Sequence, residues 1–134
     1  MPGRENQFRA RGPSRSYTLG GMSAHGKEVL AGLRESGGAL RAMIPDVYEG
    51  FAHTHKAALA DGALDARTKE LMALSIGVVQ KCDGCIASHA RGAARAGATE
   101  QEVAEAIGVA ILMTGGPATV YGPRALEAFR DFAG

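Results

Sequence analysis

The residues of this chain that are best suited to chemistry lie in the segment CDGCIASH, which holds both cysteines, Cys82 and Cys85, and His89. In a helix that begins at or just before Cys82, residues three, four and seven positions apart share one face, so the three side chains lie within two turns. A cytosolic C-x-x-C pair is more typical of redox chemistry or metal binding than of a structural disulfide. The segment therefore predicts a reactive dithiol with a candidate base beside it.

The position of this segment at a helix start predicts different roles for the two sulfurs. Unpaired backbone amides and the helix dipole favour a thiolate there, although the charge of Asp83 opposes this. His89 is one turn from Cys85 and two turns from Cys82, so Cys85 is predicted to be the better-activated thiol. Cys82 is then the resolving partner, which closes a disulfide once Cys85 has become a sulfenic acid or has attacked another disulfide.

Glu70 is an acid inside an otherwise apolar stretch that leads directly into the dithiol segment. We expect it to handle protons together with His89. The simpler alternative is an exposed carboxylate that pairs with Lys69 or Arg67. The apolar side chains around Glu70 wrap most of the circumference of a helix, which is typical of burial by the same chain or by another subunit; they are Leu71, Met72, Leu74, Ile76, Val78 and Val79.

The apolar spacing from Ser23 onward is helical wherever it is legible, and no segment alternates as a strand does. We therefore predict an all-α fold of about six helices, with the C-x-x-C pair at the N-terminus of a central helix. The first expected helix runs from a Ser23 cap to Gly37-Gly38, the second from Pro45 to Ala60, and the third from an Asp65 cap to Gln80. The fourth runs from Cys82 to Ala96, and the fifth from a Thr99/Glu102 capping box to Gly115-Gly116-Pro117. Gly122-Pro123 should kink the last helix or delay its start.

Length and charge narrow the class of protein. A chain of 134 residues is a common size for a single domain, which we expect over residues 23–134. The 15 basic and 14 acidic residues give no electrostatic case for nucleic acid or a membrane surface as partner. There is no secretory signal pattern and no run of about 18 apolar residues that would span a membrane. We expect a cytoplasmic protein.

Residues 1–22 differ from the rest in composition. They hold four arginines against one glutamate and are rich in glycine, serine and proline, with no apolar periodicity. Such a segment has too little apolar surface to offset the entropy of ordering, so we expect a disordered arm. A solvated tail, or a true start at Met22, is favoured over an arm that binds nucleic acid.

The residues around the dithiol also resemble a known family. Glu70, the eleven residues that separate it from Cys82, the C-x-x-C-x-x-x-H motif and the following Gly97-Ala98-Thr99 resemble the alkylhydroperoxidase AhpD-like core of the carboxymuconolactone decarboxylase superfamily. Lys69-Glu70-Leu71 is similar to the entry of that core. The resemblance covers roughly residues 62–120, and its joint spacing is far more specific than a bare C-x-x-C.

The resemblance implies an all-α fold, assembly into trimers or hexamers, and thiol-dependent peroxidase or disulfide reductase activity. By matched position it implies that Cys85 reacts with the peroxide, that Cys82 resolves it, and that Glu70 and His89 relay protons. It implies no bound cofactor. The expected partners are a hydroperoxide or disulfide substrate and an external thiol donor, either thioredoxin-like or lipoyl-bearing.

The chain departs from this pattern at Gly84, since the peroxidase members carry a histidine immediately before the second cysteine. This departure bears on peroxide turnover more than on dithiol chemistry. The decarboxylase branch lacks the cysteine pair, so lactone decarboxylation is disfavoured.

Three alternatives stay open at the level of sequence. The two cysteines are inert buried thiols in one, and zinc ligands in another, where His53 or His55 would have to complete the site. In the third, a helical oligomer binds a ligand and uses the thiols as a redox sensor. His55 lies on an apolar stripe, which favours a core or pocket histidine over a catalytic one. Tyr121 is a further candidate for lining the site, although a core aromatic is a sufficient explanation for it.

Overall fold

The computed structural model describes residues 25–134, so the expectations for the Ser23 cap and for the arm of residues 1–22 lie outside it. These described residues form helices joined by short turns and contain no strand, which confirms the all-α prediction. The helices are α1 (Lys27–Met43), α2 (Pro45–Leu59), α3 (Ala66–Val79), α4 (Asp83–Arg95), α5 (Glu100–Thr114) and α6 (Gly116–Ala133).

The core lies where α3, α4, α5 and α6 pack together, with α4 against both α3 and α6. The buried face of α4 carries small side chains, which allow neighbouring helices to approach closely. At Gly77 of α3, an added Cβ would lie 3.3 Å from the Cβ of Cys85. The core side chains are Leu74, Val78, Ile86, Ala90, Ala93, Val103, Ile107, Ala110, Ala118, Ala125, Ala128 and Phe129.

Helix α2 stands apart from this core. It buries none of its residues and makes few contacts with α1 and α3. Its apolar side chains are exposed to solvent, and Phe51 keeps 68% of its surface and Val47 65%. The chain therefore presents an apolar helix that packs little against its own protomer.

Local capping signals located several helix ends correctly. Asp65 is the N-cap of α3 and accepts a hydrogen bond of 2.7 Å from the Thr68 amide. Its hydrogen bonds with Thr68 hold the pKa of Asp65 below its ordinary value. Cys82 is the N-cap of α4, and Gly97 follows the end of that helix with a φ of +81°. These predictions are confirmed because each depends on residues within one turn of the helix end.

The expected end of α1 at Gly37-Gly38 is wrong, because the helix continues through both glycines to Met43. A glycine within a helix costs about 1 kcal/mol, which the rest of a 17-residue helix can offset. The break comes instead at Ile44, whose φ of −134° and ψ of 57° lie outside the helical region. Pro45 disfavours the helical conformation in the residue before it, so the proline separates α1 from α2.

The expected delay of the last helix by Gly122-Pro123 is also wrong. Helix α6 begins at Gly116 and includes Pro123 in its interior. Within a helix, Pro123 withholds one N–H, the one that would bond the carbonyl of Thr119. The buried residues Ala118, Ala125 and Phe129 lie on both sides of it, so tertiary packing holds the helix together.

The turn between α3 and α4 brings Cys82 directly to the start of α4. The Lys81 amide donates to the Val78 carbonyl at 3.1 Å, and the Cys82 amide donates to the Gly77 carbonyl at 3.1 Å. This is a Schellman motif with Lys81 in its left-handed position at a φ of 54°. The connection is as short as a helix-ending motif permits, so α3 and α4 are held closely at this end.

The contribution of a helix cap to the stability of the fold can be measured at Thr99. Thr99 Oγ1 accepts from the Glu102 amide at 3.1 Å, and Glu102 Oε2 accepts from the Thr99 amide at 2.7 Å, which confirms the capping box. Replacing Thr99 with Ala should lower the free energy of unfolding by about 1 kcal/mol in urea denaturation. Thr54→Ala is the control, because that exposed hydroxyl bonds only within α2, and its effect should stay below about 0.5 kcal/mol. Equal losses would contradict a specific role for the cap.

Candidate active site

Cys82 and Cys85 are joined by a disulfide at the first turn of α4. Cys82 Sγ, at the N-cap, accepts a hydrogen bond of 3.2 Å from the Cys85 amide. Cys85 is exposed, whereas Cys82 is partly buried. The prediction of a C-x-x-C pair at the N-terminus of a central helix is confirmed, and the two cysteines differ in their exposure to solvent.

Glu70 of α3 and His89 of α4 are bonded to each other beneath this turn. Glu70 Oε2 lies 2.8 Å from His89 Nδ1, and the two side chains expose 12% and 19% of their surface. An ionised carboxylate can only accept hydrogen bonds, so this contact assigns the proton to Nδ1 of His89 when Glu70 is ionised. In the neutral ring, Nε2 is then left as an acceptor, which is the state a general base requires.

The simpler interpretation of Glu70, as a surface partner for Arg67 or Lys69, is wrong. Arg67 pairs with Glu102 at 3.3 Å, and Lys69 donates to the Ala60 carbonyl at 2.6 Å. Glu70 is directed the other way, toward α4. The distance from Glu70 to the cysteines could not be read from the sequence, since it depends on how α3 packs on α4.

Gly92 makes room for the Glu70 carboxyl group. A Cβ at position 92 would collide with the carboxyl carbon and both carboxyl oxygens of Glu70. Gly92 lies three residues after His89, so both face α3 at the same place. This role of Gly92 was not predictable from the sequence beyond the small residues of α4, because the need for glycine arises only once Glu70 and His89 are packed together.

His55 of α2 lies against His89. The two imidazole rings stack with 5.7 Å between their centroids and 16° between their planes, and Phe51 lies 6.4 Å from the His55 ring. His55 is exposed, so it is not a core histidine, and it lies at the edge of a cavity. A cavity of about 580 Å³ opens beside it and is lined by Arg41, Pro45, Tyr48, Glu49, Phe51, Ala52 and His55.

Asp83, between the cysteines, is bonded to α6. Its two carboxylate oxygens lie 3.1 and 3.2 Å from Arg124 Nη1, and that guanidinium lies 4.3 Å above the ring of Tyr121. The charge that opposes a thiolate in this turn is therefore offset by Arg124. Sequence reasoning missed Arg124, because no spacing rule connects it with a residue 41 positions earlier.

Two further properties bear on the function. Among residues 25–134, no three His, Cys, Asp or Glu side chains are grouped in a way that could hold a metal ion, so the zinc alternative gains no support from the geometry. No helix in this part of the chain is both long and apolar enough to cross a membrane.

Residues 45–129 match the model of the carboxymuconolactone decarboxylase family. The chain belongs to this family. The match extends beyond the 62–120 region on which the resemblance was based, and includes α2 and most of α6. The AhpD-like interpretation agrees with this assignment.

Proteins similar to this chain include other family members and proteins of uncharacterized function. A carboxymuconolactone decarboxylase family protein from Legionella pneumophila, solved in its apo form, has a TM-score of 0.76 and 36% identity, with 80% of this chain and 96% of that chain covered. An uncharacterized protein of the Paracoccus denitrificans cox locus is 41% identical over 64% of this chain and 78% of its own length. An uncharacterized protein of Cupriavidus necator is 36% identical over 81% and 96% respectively.

Gly84 is the position at which this chain departs from the peroxidase pattern that it resembles. A Cβ at position 84 would lie 2.7 Å from Cδ1 of Leu33, so α1 occupies the space that a side chain would need. A histidine at this position would require Leu33 to move. Leu33 is a flexible side chain that keeps 49% of its surface exposed, so this contact alone does not require glycine at position 84.

The contact between Gly92 and Glu70 makes a specific prediction for the His89 ring. Long-range ¹H–¹⁵N correlation spectra of the wild type should show His89 protonated at Nδ1. Gly92→Ala should displace the Glu70 carboxyl group, and the preference for this tautomer should be lost. Gly108→Ala is the matched control, since a Cβ there has no atom within 4 Å, and the tautomer should be kept. A wild-type ring protonated only at Nε2 would contradict the assigned hydrogen bond.

Proposed function

We propose that this chain is a thiol-dependent oxidoreductase that cycles Cys82 and Cys85 between dithiol and disulfide while it reduces hydroperoxides or a partner disulfide. The observation that carries the proposal is the Glu70–His89 hydrogen bond, whose histidine lies one helical turn after an exposed cysteine that is paired with its neighbour. A buried carboxylate that orients an imidazole is a common arrangement for moving protons to and from a thiol.

In the peroxide reaction, His89 accepts the Cys85 proton and the thiolate attacks the outer oxygen of the hydroperoxide. The O–O bond breaks, the alcohol leaves with the proton held by the His89–Glu70 pair, and Cys85 becomes a sulfenic acid. The Cys82 thiol then attacks that sulfur, which forms the disulfide and releases water.

Exposure supports this order of events. Residue Cys85 is exposed, whereas Cys82, at the N-cap, is partly buried, which favours Cys85 as the residue that meets the substrate. A disulfide substrate would follow the same route, with a mixed disulfide on Cys85 in place of the sulfenic acid. An external thioredoxin-like or lipoyl-bearing donor then supplies two electrons and two protons to restore the dithiol, in a cytoplasmic setting.

Hydroperoxide turnover should require Cys85 and should be slowed by the loss of Glu70 or His89. In a hydroperoxide assay with a dithiol donor, Cys85→Ser should abolish turnover, because no sulfur remains to accept the oxygen. Glu70→Gln and His89→Gln should slow it by about 10²-fold or more, as expected when general acid–base groups are removed.

The control for these variants is His53→Gln, which changes an exposed histidine of the same helix as His55 and should leave the rate unchanged. With the donor left out, Cys82→Ser should reduce one hydroperoxide per chain and retain a sulfenic acid on Cys85, which dimedone captures. Undiminished turnover in Cys85→Ser would overturn the proposal. Reversible oxidation without peroxide or disulfide turnover would favour a redox sensor.

We also propose that the chain works as a homo-oligomer, a trimer or hexamer, in which other copies cover its exposed apolar surfaces. The support is α2, which buries no residue, together with Met43 at 79% exposure and Leu112 at 81%. Monomeric proteins rarely leave apolar surface of this extent uncovered.

The assembly can be tested by light scattering coupled to gel filtration. The wild type should elute with three or six times the mass of one chain, and Phe51→Glu should shift it toward the monomer because it places a charge in an apolar contact. Glu49→Gln, on the same helix, should leave the mass unchanged. A monomeric wild type would disprove this part of the proposal.

A further inference from the structure

A second cavity, of about 380 Å³, lies between α1, α4 and the end of α6. Four of its six lining side chains are cationic and none is acidic; they are Lys27, Arg34, Arg91 and Arg95, with Leu30 and Phe132 as the apolar members. Lys27 and Arg34 come from α1, while Arg91 and Arg95 are one turn apart on α4. The cavity thus concentrates positive charge in a chain whose net charge is only +1.

These cations have no carboxylate partners in the part of the chain that the structure describes. None of the four side chains forms an ion pair there. The neighbouring acid Asp131 accepts from the backbone amide of Lys27 at 2.7 Å. Glu70 interacts electrostatically with Arg91, but its carboxylate is hydrogen-bonded to His89.

The arrangement carries an electrostatic cost for Arg91 that the charge of Glu70 offsets only in part. Burial, and then the charges of Arg95 and Arg34, lower the pKa of Arg91, although a guanidinium keeps its charge at any physiological pH. Like charges four residues apart on a helix repel each other as well. A bound anion would reduce both the repulsion and the cost of desolvation.

The geometry points to a binding site for a small molecule that carries a phosphate or pyrophosphate group, and we propose that this cavity is that site. Guanidinium groups bind phosphate oxygens through paired, charge-assisted hydrogen bonds, and three of them converge here. Leu30 is buried, and Phe132 is partly buried beside it, so an apolar or ring portion of the ligand has a surface to contact. A nucleoside diphosphate combines both features.

This site is separate from the dithiol. Arg91 and Arg95 follow Cys85 by six and ten residues, which is about 9 and 15 Å along a helix. Binding does not require a reactive sulfur, and the inference stands whether or not the proposed redox function is correct.

Calorimetric titration of the full chain at low ionic strength tests the inference, with sodium pyrophosphate and ADP as separate probes. The wild type and Cys85→Ser should each show saturable binding of one molecule per chain. Arg91→Gln and Arg95→Gln should weaken it about tenfold or more, because each removes charge-assisted hydrogen bonds. Lys56→Gln removes the same charge from the exposed face of α2 and should leave binding unchanged.

Arg34→Gln provides a second test, from α1. Arg34 is exposed, so this variant should fold even if Arg91→Gln does not, and it should also weaken the binding of pyrophosphate and ADP. Thermal unfolding without ligand identifies any variant that fails to fold. No saturable binding, or equal weakening by Lys56→Gln, would overturn the inference. Binding of citrate in place of both phosphate probes, or of phosphatidic acid vesicles alone, would also overturn it.

Discussion

The hydrogen bond between Glu70 and His89 constrains the rest of the structure. A carboxylate buried between two helices is costly unless it is paired, so α3 and α4 must meet with these two residues opposite each other. Gly92 leaves space for the carboxyl group, and the alanines of α4 allow the helices to approach. The alanines of α4 therefore serve the packing of the core, whereas Gly92 also makes room for the Glu70–His89 pair.

The dithiol turn is held from three directions by different kinds of contact. The Schellman motif at Lys81 connects it to α3, the ion pair of Asp83 with Arg124 connects it to α6, and Leu33 of α1 lies over Gly84. A redox pair must change its bonding without losing its position, and a turn fixed to three helices is suited to that. The exposed edge of the turn is the one that carries Cys85.

The parts of this structure that the sequence predicted are those controlled by neighbours along the chain. Asp65 and the Thr99 capping box located helix starts, because a cap needs only the following turn. Gly37 and Pro123 misled the prediction, because packing and helix length outweighed a local preference. Arg124 and the stacking of His55 were not predictable, since each requires two helices to be placed first. The same holds for the cationic cavity, whose members come from α1 and α4.

The His55 ring of α2 stacks on His89, yet α2 buries none of its residues against the protomer that contains His89. The His89 imidazole is thus oriented on one side by the buried Glu70 carboxylate. On its other side it contacts α2, whose position depends on the molecule that packs against the outer face of that helix. Where that neighbour is another copy of the chain, dilution of the protein would uncover the imidazole while leaving the disulfide intact. The reactivity of each molecule would then vary with protein concentration.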